Sequence, residues 1–448
     1  MNVEPKAIDV SSFKSLHTEE IVLLHNMFQK HNYEIRIAGG AVRDILLQKE
    51  PADIDFASDA TPDEMMAMFE AENIRMLNKN GISHGTVTVR LNDVENFEVT
   101  TLRIDTDHDG RKAKVVFTTD WGLDAARRDL TINAMFLKLQ FDKDPSIGLL
   151  YDHFNGQSDL ENRYIRFVGE PADRIREDYL RILRYFRFHG RLSHPERRSF
   201  HEADTLAAIS ENSSGLASIS GERLWVELKR ILTCPSSYHL ICCMNDCGVL
   251  PHLGFPDKLD AVPLQRYKVA LENQILAFDP LPATMLSFLL HDDSEIENLH
   301  NRLKLSNLDL AVLVQVIKHR NEETLMEEND LETAFKSFRN QLILSQDRAR
   351  YKTMVEEVVK ASTLSVSARE TLIQRWKSLE LPIFPIKGTE LTAQWDVKGR
   401  AIAPVILELK RQWIDSEFML TAEELLSDRM KQNVVRSKSS NRSRSPVR

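Results

Sequence analysis

Up to about residue 150 the chain alternates short apolar runs with helical ones. Residues 33–38, 54–57, 86–91, 97–104 and 114–117 are the expected strands, several with an apolar residue at every second position. Period two turns one face of a strand to a core and the other to water. Helical spacing covers residues 17–30, 41–47 and 61–72, the last opening on Thr61-Pro62-Asp63-Glu64, an N-cap with proline in the first turn. Beyond Asp152 strand signals nearly vanish, and helical periodicity runs to about residue 430. The pattern predicts an α+β head followed by an all-α remainder.

Composition narrows this only in places. The 448 residues suggest two to four units of roughly 100–200 residues each, and 42% hydrophobic residues can fill a core. Aromatic residues make up 7%, which gives no sign of stacking-rich RNA modules. A net charge of -9 does not advertise nucleic-acid binding, so any RNA site must be a local basic patch. Residues 161–200 hold ten Arg against six acidic residues, and residues 429–448 hold seven basic residues and no acidic one. The last dozen, SKSSNRSRSPVR, read as a disordered tail. Cys234, Cys242, Cys243 and Cys247 match no common zinc spacing and read as buried thiols in an apolar helix. No apolar run approaches ~18 residues, so no membrane partner is expected. Residues 1–35 lack Arg and contain Glu4, Asp9, Glu19, Glu20 and Glu34, unlike a transit peptide, which suggests cytoplasm or nucleus, or a processed or internally initiated form without a presequence.

Residues 38–57, AGGAVRDILLQKEPADIDFA, carry the densest chemistry. Gly39 and Gly40 at a helix start can close backbone N–H groups on a phosphate. Asp53 and Asp55, two apart on an expected strand, face one spot and offer hard oxygen ligands to a divalent metal. Arg43 offers a planar fork for phosphate oxygens, or a surface salt bridge. Residues 127–134 read RRDLTINA, 152–166 DHFNGQSDLENRYIR, 177–188 EDYLRILRYFRF and 219–232 ISGERLWVELKRIL.

Gly-Gly, Arg43 and Asp-x-Asp in this order resemble the nucleotidyltransferase head of the polymerase-β superfamily. With the later segments the chain resembles the eukaryotic and bacterial class of CCA-adding enzymes, from about residue 20 to about 430. The resemblance implies a mixed-sheet nucleotidyltransferase head (1–150), a helical neck with a nucleotide-selecting helix (151–232), a helical body (233–375), a tRNA-binding helical tail (376–430) and a disordered basic end (431–448). It implies addition of C, C and A to tRNA from CTP and ATP, with two Mg2+ ions held by Asp53 and Asp55, and a monomer or homodimer. Glu98 in FEVTTLR is the candidate third carboxylate, or a strand-end charge. Gly40 and Arg43 would meet the triphosphate, and Arg128, Asp129 and Asn133 the sugar and phosphates. Arg111 would act from a mobile loop. The family also leaves the mitochondrion open. Poly(A) polymerase of the same branch and a silent tRNA-binding protein are the rival readings.

Asp178 and Arg181 bear on the choice of base. Three apart on one helix, they share a face. The carboxylate can accept from an exocyclic amino group while the guanidinium donates to a ring nitrogen. Cytosine and adenine offer that pair of groups; uracil and guanine reverse it. Arg184 and Arg187 continue the row toward phosphates.

Overall fold

The protein is described by a computed structural model covering residues 3–77, 81, 84–106, 114–141, 143–193, 201–320 and 331–432. It divides into two compact units, Met1–Leu264 with Glu297–Leu305, and Gln265–Ile296 with Ser306–Arg448.

Among the described residues the first unit contains ten strands: β1 (Lys6–Asp9), β2 (Ile35–Ala38), β3 (Asp55–Ser58), β4 (Arg75–Met76), β5 (Thr86–Leu91), β6 (Glu95–Thr101), β7 (Arg103–Thr106), β8 (Lys114–Phe117), β9 (Met135–Leu139) and β10 (Ile147–Asp152). Eight form one sheet in the order β1-β10-β9-β2-β3-β6-β5-β4, while β7 and β8 pair separately. β3 runs parallel to β6, and the other pairings are antiparallel, so the head sheet is mixed as expected. Helices α1 (Glu19–Lys30), α2 (Gly40–Leu46), α3 (Pro62–Ala71) and α4 (Trp121–Ala126) accompany it. Thr61 caps α3, as its sequence predicts, and the Glu64 side chain accepts the Thr61 N–H in return. Ala38, Ala57, Leu102, Ala125, Ala134 and Phe136 pack into one buried cluster, which fixes β2, β3 and β9 against α4.

Several boundaries differ from the sequence expectation, each for a local reason. The run 97–104 is not one strand. Leu102 is fully buried, its N–H bonds to the Ser58 carbonyl, and its carbonyl accepts from Thr118 N–H, so the chain leaves the main sheet there. β1, β4, β9 and β10 lie outside the expected strands. Asp53 sits in a bend before β3 rather than on it.

In its remaining described residues the first unit is helical: α5 (Gly156–Glu161), α6 (Pro171–Glu177), α7 (Arg181–Leu192), α8 (Ala203–Asn212), α9 (Gly221–Leu232) and α10 (Ser237–Asp246). α7 buries Ile182, Leu183, Phe186 and Leu192, and α9 buries Leu224, Trp225, Leu228 and Ile231. The two pack together. None of the four cysteines is in a disulfide, and Cys243 and Cys247 are buried. Among the described residues no helix is long and apolar enough to cross a membrane.

The second unit is helical throughout its described residues. Asn307–Arg320 packs on Pro282–Ser287 and Arg348–Ala361. A separate apolar cluster joins Leu391, Trp395, Leu409, Trp413 and Leu425.

Candidate active site

A cleft of about 1150 Å³ opens in the first unit. Its walls come from the β2–α2 junction, β3, β6, the segment after α4, and helices α7 and α9. Gly39, Gly40, Arg43, Asp53, Asp55, Glu98, Arg128, Asp129, Asn133, Asp178, Arg181, Arg184 and Arg187 all border it. Arg111 lies outside the described residues. Nine arginines line the cleft against six carboxylates, an excess that suits a polyanionic ligand.

Gly39 joins β2 to α2 at φ 68 and ψ -118, a region that side chains disfavour. A Cβ there would stand 3.1 Å from Arg128 Nη1. The turn therefore brings the backbone at the start of α2 close to a cation.

Asp55 and Glu98 are register partners on the parallel strands β3 and β6. Asp55 is open to cleft water, yet the walls desolvate it. Burial pushes its pKa up, and the charges of Glu98 and Asp53 add to the rise while Arg128 opposes it. Three carboxylates thus crowd one side of the cleft. Among the described residues no three His, Cys, Asp or Glu converge closely enough to hold a metal by themselves. Asp55 and Glu98 on adjacent strands, with the Asp53 charge beside them, are hard oxygen donors of the type a divalent cation takes.

The opposite wall is a lattice of charge-assisted hydrogen bonds. Arg43, buried at the heart of it, donates to Asn133 Oδ1 at 2.7 Å and to Asp44 at 3.0 Å. Asn133 donates to Asp129 at 3.3 Å, and Arg184 donates to Asp129 at 2.6 Å. Burial alone would raise the Asp129 pKa, but the Arg184 charge and its hydrogen bond, with the Leu130 N–H and Asn133, hold it below the usual carboxylate range. Arg127 and Asp129 do not pair with each other. Arg127 binds Asp124 at 2.7 Å, and Arg128 binds the same carboxylate at 3.0 Å. Phe188 lies beneath Arg43, Arg184 and Arg187, whose guanidinium carbons stand 5.1, 5.5 and 4.4 Å from the ring centroid. Burial pushes the Arg187 pKa down to about 10, against the pull of Glu227.

Asp178 and Arg181 both face the cleft, but not from one helix. Asp178 ends α6 in an extended conformation, φ -149 and ψ 108, and α7 begins at Arg181. The break has a cause: Asp178 Oδ1 accepts the N–H of Leu180 at 3.0 Å, a side-chain turn that competes with helix. Its Oδ2 accepts from Arg223 at 2.9 Å. Arg181 donates to the Arg127 carbonyl at 2.8 Å and the Arg174 carbonyl at 2.9 Å, and it pairs with Glu177.

Asp124, Arg103, Phe188, Arg223 and Glu227 also build the site, and the sequence reading passed over them. Asp124 had a signal, since it precedes Arg127 and Arg128 by three and four residues, the spacing at which side chains meet on a helical turn. Arg103 closes the FEVTTLR run already singled out for Glu98. Phe188 had none beyond its place in an apolar stripe.

Residues 35–166 match the family described as the Poly A polymerase head domain, and residues 201–257 one described as a probable RNA and SrmB-binding site of polymerase A. The chain is 43% identical over 415 residues to CCA tRNA nucleotidyltransferase 1, mitochondrial, of Mus musculus, covering 93% of this chain and 91% of the relative. It is 42% identical over 415 residues to the Homo sapiens protein of the same name, with the same coverage. Its fold is similar to that of the Bacillus stearothermophilus CCA-adding enzyme solved with CTP, at a TM-score of 0.66 and 24% identity over 94% of this chain and 98% of that one. The relatives' names overturn the expectation of cytoplasm or nucleus. Within residues 1–35 lie β1 and the cap and body of α1, so that composition reports a folded edge and not an address.

Proposed function

The chain belongs to the CCA tRNA nucleotidyltransferases, enzymes by family, and on that premise we propose that it adds C, C and A in turn to the 3′ end of tRNA from CTP and ATP. One observation carries the reading: the carboxylate side of the cleft and the Asp178–Arg181 pair share one cavity with an excess of arginines. The relatives' names favour the mitochondrion as its compartment.

Asp178 accepts from the exocyclic amino group of cytosine or adenine, and Arg181 donates to the adjacent ring nitrogen. Uracil and guanine present a carbonyl oxygen to the carboxylate and a ring N–H to the guanidinium, which leaves buried polar groups unpaired. Asp129 and Asn133 meet the ribose hydroxyls, and Arg128, Arg43 and the backbone at Gly39 and Gly40 meet the phosphates. Arg184 and Arg187 extend this cationic wall. Asp53 and Asp55, with Glu98 beside them, would hold two Mg2+ ions, which lower the pKa of the attacking 3′-hydroxyl and stabilise the departing pyrophosphate. Basic residues of the helical remainder would hold the acceptor and TΨC arms.

The test is primer extension on a tRNA transcript that stops at the discriminator base. Two additions with CTP, one more with ATP, and then a halt are expected. Asp53→Ala and Asp55→Ala should each lose incorporation by about a thousandfold or more while still binding tRNA. A long A tract from ATP alone would instead assign poly(A) synthesis. Binding without incorporation in the unaltered protein would assign a silent tRNA-binding role.

A further inference from the structure

α9 presents Arg223 and Glu227, four residues apart and so on one face, toward the base-reading segment and α7. Glu227 is buried and accepts from Arg187 at 3.1 Å. Arg223 donates to Asp178 Oδ2 at 2.9 Å. The remaining Asp178 oxygen takes the Leu180 N–H, so both oxygens of the base-reading carboxylate are tied, one to backbone and one to α9.

We infer that Arg223 is a specificity-determining positioning residue, which sets base choice by fixing the rotation of the Asp178 carboxylate. The inference rests on the base-reading role given to Asp178 above. Asp178 follows the last residue of α6 and precedes the first turn of α7, so no helix backbone holds it on either side. Its side-chain torsions are set by what its oxygens meet. An oxygen held by Arg223 keeps a second lone pair, and this can accept an amino hydrogen only if the carboxylate plane stays in place. Without Arg223, one oxygen remains pinned by Leu180 and the other is free to swing toward water. The loss then falls on nucleotides that need an acceptor at that point, CTP and ATP, and not on UTP or GTP. A role in folding alone would lower all four nucleotides together.

The experiment measures kcat/KM for CTP, ATP, UTP and GTP with full-length protein and tRNA primer, for the unaltered enzyme, Arg223→Gln, Arg223→Lys and Asp178→Ala. A charged hydrogen bond at a partly exposed pair corresponds to roughly a tenfold effect. Arg223→Gln should lower the preference for CTP over UTP by about that factor, mostly through KM. Arg223→Lys should fall between, because an ammonium holds the charge without the planar fork. Thermal melts check that each variant is folded; if the glutamine variant is not, the lysine variant decides by the same ratio. An unchanged preference in folded Arg223 variants, beside a lost preference in Asp178→Ala, overturns the inference and leaves the base-reading role intact. An unchanged preference in Asp178→Ala removes that role and the inference with it.

Discussion

Asp124 shows how one residue can hold a site without touching its contents. It is 1% exposed, and it accepts from Arg127, from Arg128 and from the backbone N–H of Arg103 at 3.1 Å. Burial would raise its pKa, but the charges of Arg128 and Arg127, with their hydrogen bonds, drive it below the ordinary value. The folded protein therefore keeps this carboxylate ionised at a pH where the unfolded chain already binds a proton. Its contribution is fully present above about pH 4 and is lost as pH falls through the lower folded value. Asp124→Asn strands two arginines and should cost about 3 kcal/mol at neutral pH. In urea titrations between pH 7 and 3, the gap to the unaltered protein should close toward the acid end; parallel curves would refute this account. The Asp124 pairings were present in the sequence as three- and four-residue spacings on a short helix. The Arg43–Asn133 bond, by contrast, spans ninety residues and follows from the sheet that brings α2 to the segment before β9.

Secondary-structure elements were legible where the pattern was local. β5 and β8 begin and end where alternation in the sequence places them. β9 carries no alternation because it lies between β10 and β2 with four of its five residues buried, and such runs read as well for a helix. β1 is the opposite case, a polar edge strand with three exposed residues. The run through Asp178 kept helical spacing, so nothing in its periodicity announced the break that Leu180 N–H and Arg223 impose. At the β2–α2 junction the two glycines look alike in sequence but differ in what they tolerate. Gly39→Ala meets a positive φ and a cation 3.1 Å from the new Cβ, while at Gly40 the nearest atom is the movable Arg43 guanidinium at 3.6 Å. Gly39→Ala should therefore lower stability by about 1–3 kcal/mol, and Gly40→Ala by much less. The former should also raise KM for CTP by displacing Arg128. Equal melting temperatures for the two variants would count against the strained turn.

At the scale of the molecule, the site depends on a segment far from it in sequence. Glu297–Leu305 belongs to the first unit although the residues before and after it belong to the second, and no local pattern marks it so. Arg302 explains the attachment. Its guanidinium donates to the carbonyls of His252 at 2.8 Å, Leu216 at 2.7 Å and Ile219 at 3.0 Å, three backbone groups in and after short turns. The Arg302 carbonyl lies so close to Gly221, the first residue of α9, that a Cβ there would stand 2.1 Å from it. Two residues further along α9 is Arg223, the partner of Asp178. The helix whose Arg223 bonds to Asp178 is thus seated at its start by residues about eighty positions downstream. Arg302→Ala in the full chain should cost roughly 2–3 kcal/mol, since three carbonyls lose a charged donor. The loss should be felt first at the start of α9, whose first helical bond runs from Leu224 N–H to the Ser220 carbonyl, so hydrogen exchange at Leu224 and the turn after it should quicken while α2 keeps its protection. If exchange rises evenly over the whole unit, Arg302 stabilises the fold globally and the seating of α9 is not its particular effect.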